Sequence, residues 1–227
     1  MNAEKNILHK EFEKNLNSYF NDVIFQAKIY KEYQEKLAEQ TSFEFNVFNY
    51  ISLDENQISQ IITDILQPIG KHGQKNIFLT NFLNILKISI PSKNIPTIKT
   101  EVVTSNHIHN LRRMDILIDW GDFGVMIENK PYADDGENQL NDYAENLENR
   151  YGKDNFVMIY LSHENKIPSE NSILKELREE LESKKQFFHI TYQKEFKQWI
   201  EQCILICQSQ KYKYFLTDFL NKILNIL

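Results

Sequence analysis

The segment RRMDILIDWGDFGVMIENK, residues Arg112–Lys130, decides the fold of the central part of this chain. Gly121 and Asp122 form a pair suited to a two-residue type II′ turn, because glycine supplies the positive φ. Apolar residues alternate with others on both sides of that pair, as they do in strands. They are Met114, Ile116, Ile118 and Trp120 before the turn, and Val125 and Ile127 after it. The segment therefore predicts a β-hairpin.

The register of this hairpin brings two carboxylates together. A two-residue turn pairs Trp120 with Phe123, and antiparallel pairing then sets Asp115 opposite Glu128. Lys130 lies two residues beyond Glu128 and on the same face, because side chains alternate along a strand. Facing Cβ atoms lie roughly 4.5–5.5 Å apart, and like charges directly opposite each other are destabilising.

Two facing carboxylates commonly share a proton or a cation, and the neighbouring lysine favours the cation. Oxygen ligands without any cysteine or histidine favour a hard divalent ion, Mg²⁺ or Mn²⁺, over zinc. The same pattern suits a solvated outer face that carries charges of both signs. The hairpin alone leaves both interpretations open.

A third carboxylate precedes the hairpin in the chain. Asp54 and Gln57 have the spacing of a capping box, which predicts a helix over 55–66 with Glu55 in its first turn. At 100° per residue, Glu55 lies in line with Ile62 on the apolar side of that helix. An acid on a buried face needs a reason. A functional role is one, and favourable placement near the positive end of the helix dipole is the other.

Gln139 and Tyr143 lie four residues apart in the segment after the hairpin and share one face of a predicted helix. Gln139 is polar near the apolar side of that helix and is close to the end of the hairpin. It is therefore a candidate site residue. Tyr143 also fits plain core packing beside Leu140 and Leu147, so both roles remain open for it.

Helical patterns occupy both ends of the 227-residue chain, and strands lie in the middle. Because a helix separates the hairpin from the next strand, that strand is expected to run parallel to a hairpin strand in a mixed sheet with helices on both faces. The strands outside the hairpin are predicted at 97–104 and 155–161. The helices are predicted at 4–40 (one helix, or two with a break near Asn21), 55–66, 75–88, 136–149, 172–185, 193–208 and 211–226.

Composition narrows the class of protein. A hydrophobic fraction of 41% is enough to build a core. No apolar run approaches the ~18 residues of a membrane span, and the N-terminus lacks the apolar centre of a signal peptide. Cys203 and Cys207 are the only cysteines, so we expect no disulfide framework and a cytoplasmic location.

The net charge of −6 argues against a protein coated in basic surface. The charge is unevenly spread, however, because residues 71–99 contain five lysines and no acid, and Arg112 and Arg113 follow. A patch of this kind can hold a nucleic acid. It can also be the solvated surface of a chain that is generally rich in lysine.

Asp115 followed by Glu128-Asn129-Lys130 resembles the D…(D/E)-x-K signature of the PD-(D/E)XK nucleases, the restriction-endonuclease-like superfamily. Further segments are similar to a largely uncharacterised branch of it, over residues 44–205. They are FNVFNYISLDENQISQIITDILQPIGKHG, IENKPYADDGENQLNDYAENL and ITYQKEFKQWIEQC. Met114 stands where the signature's proline would be, a residue that is widely missing in this superfamily.

The resemblance implies a restriction-endonuclease-like α/β fold with extra terminal helices, and a role for each candidate residue. Asp115 and Glu128 would coordinate Mg²⁺ or Mn²⁺ together with the backbone carbonyl of Asn129 and with Glu55. Lys130 would position or deprotonate the attacking water, and Gln139 would orient that water or hold a phosphate. The residues expected to contact the nucleic acid are Lys71, His72, Lys75, Arg113 and Tyr143.

The resulting expectation is a metal-dependent nuclease, acting on DNA in preference to RNA, in restriction or defence. An RNase with the same site is one alternative, and an inactive nucleic-acid-binding or assembly module of the same fold is another. A plain structural protein is a third. Residues 1–43 are expected to be a helical extension and residues 44–227 the nuclease-like domain. The terminal helices are expected to form a homodimer or to bind a partner subunit, with no membrane involved.

Overall fold

The computed structural model describes residues 2–42, 45–104, 112–132, 134–164 and 166–226. A short 3₁₀ turn, Val47–Tyr50, and a π-helical turn, Tyr192–Phe196, accompany the regular elements. In the described ranges the helices are α1 (Asn2–Thr41), α2 (Glu55–Leu66), α3 (Ile77–Ile85), α4 (Gln139–Tyr151), α5 (Lys175–Ser183), α6 (Lys197–Ile206) and α7 (Gln210–Ile226). The strands are β1 (Thr97–Val103), β2 (Arg113–Asp119), β3 (Gly124–Lys130), β4 (Phe156–Ser162) and β5 (Phe187–Thr191).

The strands form one mixed sheet in the order β1-β2-β3-β4-β5. β1, β2 and β3 are antiparallel neighbours, whereas the β3–β4 and β4–β5 pairs are parallel. Parallel neighbours need a crossover connection, and α4 provides the one between β3 and β4. The predicted α/β fold with a mixed central sheet flanked by helices is confirmed.

β5 is the element that the sequence-based prediction lacked. Its five residues lie between two predicted helices, and so short a run shows no periodicity that separates strand from helix. What holds it in place is parallel pairing with β4. β4 is itself buried at every position, as expected for an interior strand with helices on both faces.

Each face of the sheet contributes to a hydrophobic core. Apolar residues such as Ile127 pack with α2, α3, α6 and α7 on one face. Others such as Met126 pack with α4 and α5 on the opposite face. Because side chains alternate between the faces, β3 directs Glu128 and Lys130 toward α4 and Asn129 toward α2.

The chain divides into two compact units, Met1–Val47 and Phe48–Leu227. In the first unit, α1 is one continuous helix with no break near Asn21. In the second unit, all five strands and the remaining helices are found. None of the helices that the structure describes is both long enough and apolar enough to cross a membrane.

Candidate active site

The hairpin of β2 and β3 has the register expected from its turn. Ile116 pairs with Ile127, and the same register continued by one residue places Asp115 opposite Glu128. Gly121 adopts a φ of +89°, the sign that the first position of this turn requires. Both acids therefore lie on adjacent strands, on the face that α4 covers.

Lys130 joins two carboxylates that are distant in the sequence. Its Nζ lies 2.7 Å from Oε1 of Glu128 and 3.2 Å from Oε1 of Glu55. Glu128 is fully buried and Lys130 is 5% exposed, whereas the Glu55 side chain keeps 26% of its exposure. Buried charges of this kind persist when they are paired, and the ammonium pairs with both acids at the border of the interior.

Glu55 owes its place to the start of α2. The Asp54 carboxylate accepts a hydrogen bond from the Gln57 backbone N–H at 2.8 Å, and the Gln57 side chain accepts one from the Asp54 N–H at 3.0 Å. The predicted capping box is thus confirmed. It starts the helix at Glu55, so that this carboxylate projects from the first turn toward the end of β3.

Asp115 is tied to β3 through the backbone. Its Oδ2 accepts a hydrogen bond from the Asn129 N–H at 2.7 Å. Hydrogen-bonded strand residues direct their N–H and C=O toward the same neighbour. The carbonyl of Asn129 therefore also faces Asp115, where an oxygen ligand for a cation would be useful.

Gln139 lies at the first position of α4, and its side chain reaches the carboxylate of Glu128. Its Nε2 donates to Oε1 of Glu128 at 2.7 Å and to the Tyr143 hydroxyl at 3.0 Å. The Tyr143 hydroxyl donates to the carbonyl of Arg113, and the residue is 1% exposed. Tyr143 therefore connects α4 to β2 from the interior, the position that the core-packing alternative requires and that contact with nucleic acid does not.

Burial and mutual repulsion perturb both hairpin acids. Burial raises the pKa of Asp115 to about 6, although Lys130 and the Asn129 N–H oppose the change. Burial, followed by the charge of Asp115, raises the pKa of Glu128 to about 8. Burial alone would lower the pKa of Lys130, but the carboxylates of Glu128 and Asp115 outweigh it and the net direction is upward. The two acids thus favour a bound proton or cation over two uncompensated negative charges, and the lysine stays an ammonium.

The donor set fits a hard divalent cation. Oε1 of Glu128 accepts hydrogen bonds from Lys130 and Gln139. When both hairpin acids are ionised, the buried Oε2 has no donor among the described residues, since its neighbour is the Asp115 carboxyl, with which it can share only a proton or a cation. A buried carboxylate oxygen without a partner is costly, and a cation would satisfy it. Mg²⁺ is usually held by one or two carboxylates, waters and substrate phosphates. The described part of the chain contains no cluster of three acidic, histidine or cysteine side chains that could hold a metal. Binding of Mg²⁺ at this site does not require one.

The residues that were predicted to contact nucleic acid lie in two separate parts of the structure. Arg113 starts β2 and is exposed, paired with Glu101 at 3.2 Å. Lys71, His72 and Lys75 follow the C-terminal end of α2, whereas Glu55 begins it. The 12-residue helix separates them by roughly 18 Å at 1.5 Å per residue. The structure therefore does not bring these three residues to the carboxylates.

His72 in particular differs from the expected contact residue. It is 7% exposed, its Nε2 lies 2.9 Å from the carbonyl of Gln67, and its Nδ1 accepts from the Gln74 N–H. Both ring nitrogens thus hold the turn between α2 and α3. The lysines around His72 in the sequence could not indicate that its side chain is buried.

Two residues around the site were missed from the sequence. Ser59 accepts a hydrogen bond from the Asn129 side chain at 2.9 Å, and the Tyr192 hydroxyl donates to the same amide. Ser59 lies four residues after Glu55, so helical spacing could have identified it as sharing that face. Tyr192 is 63 residues from Asn129, and no local pattern connects the two.

The geometry agrees with the comparison with protein families. A family model described as the PD-(D/E)XK nuclease superfamily matches residues 45–221. Neither a curated protein nor a solved structure matches the chain significantly. The match spans both hairpin acids, Lys130 and the helices that approach them, and it extends over most of the 227 residues. The chain therefore belongs to the PD-(D/E)XK nuclease superfamily.

Proposed function

We propose that this protein is a metal-dependent nuclease that hydrolyses phosphodiester bonds, with Mg²⁺ or Mn²⁺ as its cofactor. The proposal rests on the burial and the hydrogen bonds of Glu128. This acid is fully buried, and one of its oxygens binds Lys130. The other has no donor among the described residues when both hairpin acids are ionised, because it faces the Asp115 carboxyl. A cation between Glu128 and Asp115 explains why the chain buries two carboxylates at one place.

Each residue then has a distinct task. Asp115, Glu128 and the Asn129 carbonyl would hold the metal, with Glu55 completing or bordering the set. When bound, such an ion acidifies a water and neutralises charge on the phosphate. Lys130 is held as an ammonium and would donate to the attacking water or to a phosphate oxygen as charge develops there. Gln139 orients Glu128 through the hydrogen bond to Oε1.

We propose DNA as the substrate, in restriction or defence, because the resemblance is to restriction-endonuclease-like proteins. Arg113 supports a phosphate contact near the site, because it is exposed at the start of β2, two residues before Asp115. Its partner Glu101 is also half exposed, so that ion pair is weak and a substrate phosphate can replace it. Lys71 and Lys75 would contact a longer substrate beyond the cleavage site.

The test is a cleavage assay with the purified full chain. Labelled duplex DNA, single-stranded DNA and RNA of one sequence are incubated with Mg²⁺, Mn²⁺ or EDTA. We expect duplex DNA to be cut with either metal and to stay intact in EDTA. Preferential cutting of RNA would replace the substrate assignment with the RNase alternative. Metal-dependent binding without cleavage of any substrate would contradict the nuclease and favour an inactive binding module.

We also propose that α1 joins two copies of the chain. Five of its apolar residues, Leu16, Tyr19, Val23, Tyr30 and Tyr33, follow one another at steps of three, four, seven and three. They fit the a and d positions of a heptad repeat in which Gln26 occupies the remaining position. All five are exposed, from 41% to 65%. Across the first 50 residues eight acids face six lysines, so little net repulsion opposes a second identical helix.

Light scattering after size exclusion measures this association. The wild-type chain of 27.1 kDa is expected to elute with about twice that mass. Combining Tyr19→Glu, Val23→Glu and Tyr30→Glu places acids in the seam and should yield the monomer mass, since buried unpaired charge is costly. The control Lys28→Glu changes an exposed position outside the seam and should leave the mass unchanged. A wild-type monomer at micromolar concentration would refute the dimer.

A further inference from the structure

The side chain of Asn129 has a role separate from that of its backbone carbonyl. Its side chain points away from Glu128 and Lys130, to the opposite face of the sheet, and is completely buried. The amide Nδ2 donates to Oγ of Ser59 at 2.9 Å and to the backbone carbonyl of Glu55 at 3.3 Å. The Oδ1 atom accepts from the hydroxyl of Tyr192. Both the amide nitrogen and the amide oxygen thus have hydrogen-bond partners within the protein.

This amide joins three elements that are remote in the sequence. Ser59 and Glu55 belong to the first turns of α2, Asn129 to the end of β3, and Tyr192 to the π-helical turn before α6. π-Helical turns are rare and often occur at functional sites. Here the turn begins at Tyr192, which is fully buried and places its hydroxyl against the amide.

The consequence concerns Glu55. The Asn129 amide holds the backbone carbonyl of Glu55, while the carboxylate of that same residue reaches Lys130 at 3.2 Å. A shift of the first turn of α2 would therefore change the distance between Glu55 and the acids of the hairpin. Ser59 limits such a shift because its hydroxyl fixes the second attachment point, one turn along the helix.

We propose that Ser59 and Tyr192 are positioning residues for divalent-cation binding. Acting through the side chain of Asn129, they hold the Glu55 carboxylate 3.2 Å from Lys130, at the border of the cation site that Asp115 and Glu128 form. The inference rests on the proposed function, since it assigns the buried network to the same metal. It adds that the network acts on metal affinity, and that it does not contact the nucleic acid.

The test measures Mn²⁺ binding by isothermal titration calorimetry with the full chain, in the absence of any nucleic acid. Ser59→Ala and Tyr192→Phe each remove one hydroxyl from the amide network. Outer hydrogen-bond partners of metal ligands typically contribute 10–100-fold to affinity, so each variant is expected to raise the Kd for Mn²⁺ by roughly tenfold. Where cleavage is measured, kcat at limiting metal should fall and recover at high metal, with the KM for nucleic acid unchanged.

The chain offers a matched control on the same helix. Thr63 lies one turn after Ser59 and is likewise buried, but its hydroxyl has no hydrogen-bond partner among the described residues. Thr63→Val removes that hydroxyl with little change in shape and breaks no hydrogen bond. Its Mn²⁺ affinity is expected to equal that of the wild type, and thermal unfolding of all three variants is compared in the absence of metal.

The outcomes separate the two proposals. If Ser59→Ala and Tyr192→Phe bind Mn²⁺ as tightly as Thr63→Val, the positioning role is refuted even when the wild type cleaves DNA. If the wild type binds Mn²⁺ but cleaves no nucleic acid, the proposed function fails, and the affinities of the variants still decide the positioning role. A wild type that binds no Mn²⁺ overturns both.

Discussion

Replacing Glu128 by glutamine is expected to reduce metal-dependent cleavage by about 10³-fold, equivalent to roughly 4 kcal/mol of transition-state stabilisation. The amide retains the shape of the side chain and its hydrogen bond from Lys130. It removes the negative charge from the carboxylate whose Oε2 has no donor among the described residues. A neutral amide is a weaker ligand for Mg²⁺ than a carboxylate, and the described residues offer no cage of three acids that would compensate for its loss. The measurement is kcat in the cleavage assay, with Mn²⁺ affinity measured in parallel.

The pH dependence of stability provides an independent readout of Glu128. The pKa is raised to about 8 in the folded protein from an ordinary 4.5, so the folded state binds this proton more tightly than the unfolded state. Its contribution to stability is therefore fully present below about pH 4.5 and is lost as the pH rises through 8. Asp115, with a pKa of about 6, acts in the same direction over a lower range.

Mg²⁺ should reverse this loss, because it binds the ionised carboxylates. The rise in Tm on adding Mg²⁺ is expected to be larger at pH 8.5 than at pH 5, and small in Glu128→Gln at both. Glu148→Gln, which neutralises an exposed acid on α4, is the matched control and should respond like the wild type. An equal Mg²⁺ response in Glu128→Gln and the wild type would exclude Glu128 as a ligand.

Replacing Lys130 by methionine is expected to lower kcat by about 10²–10⁴-fold, the range typical for removal of a group that transfers or donates a proton. Methionine keeps the length and apolar stem of the side chain. It removes the ammonium that lies 2.7 Å from Glu128 and 3.2 Å from Glu55. These acids then have no cationic side chain between them, so Mn²⁺ affinity should be retained or increased.

The opposite movement of kcat and metal affinity is what distinguishes this role of Lys130. If Lys130 only positioned the metal ligands, its replacement would lower both kcat and Mn²⁺ affinity. If it had no catalytic role, neither would change. Lys99→Met, at an exposed position of β1, controls for the loss of one positive charge. Because unpaired buried acids destabilise the metal-free protein, unfolding of Lys130→Met is measured with and without Mn²⁺. A parallel fall of kcat and Mn²⁺ affinity would contradict the assignment.

Patterns between near neighbours were the part of this structure that could be predicted. The turn at Gly121 determined the pairing of β2 with β3, because a two-residue turn leaves one register for the flanking strands. The capping box at Asp54 determined where α2 begins, and the confirmed mixed sheet followed from the order of strands and helices. The turn and the capping box depend on contacts within a few residues, whereas the sheet follows from the order of the elements along the chain.

Contacts between distant segments could not be read in this way. β5 forms only because β4 offers it a buried parallel partner, and neither its length nor its composition shows this. The lysine-rich stretch suggested a nucleic-acid surface, yet His72 lies in the interior, holding the turn after α2. Charge along the sequence does not specify which side chains the tertiary packing will bury.

The sequence by itself determined the hairpin, the facing positions of Asp115 and Glu128, and the inward start of α2, since strand alternation and helix periodicity are local rules. Only the tertiary structure decided that Glu55 meets Lys130 across 75 residues of sequence and that Tyr192 holds Asn129 across 63. Such contacts must overcome the entropy of closing long loops. Packing of the helices on both faces of the sheet supplies the free energy that closes them.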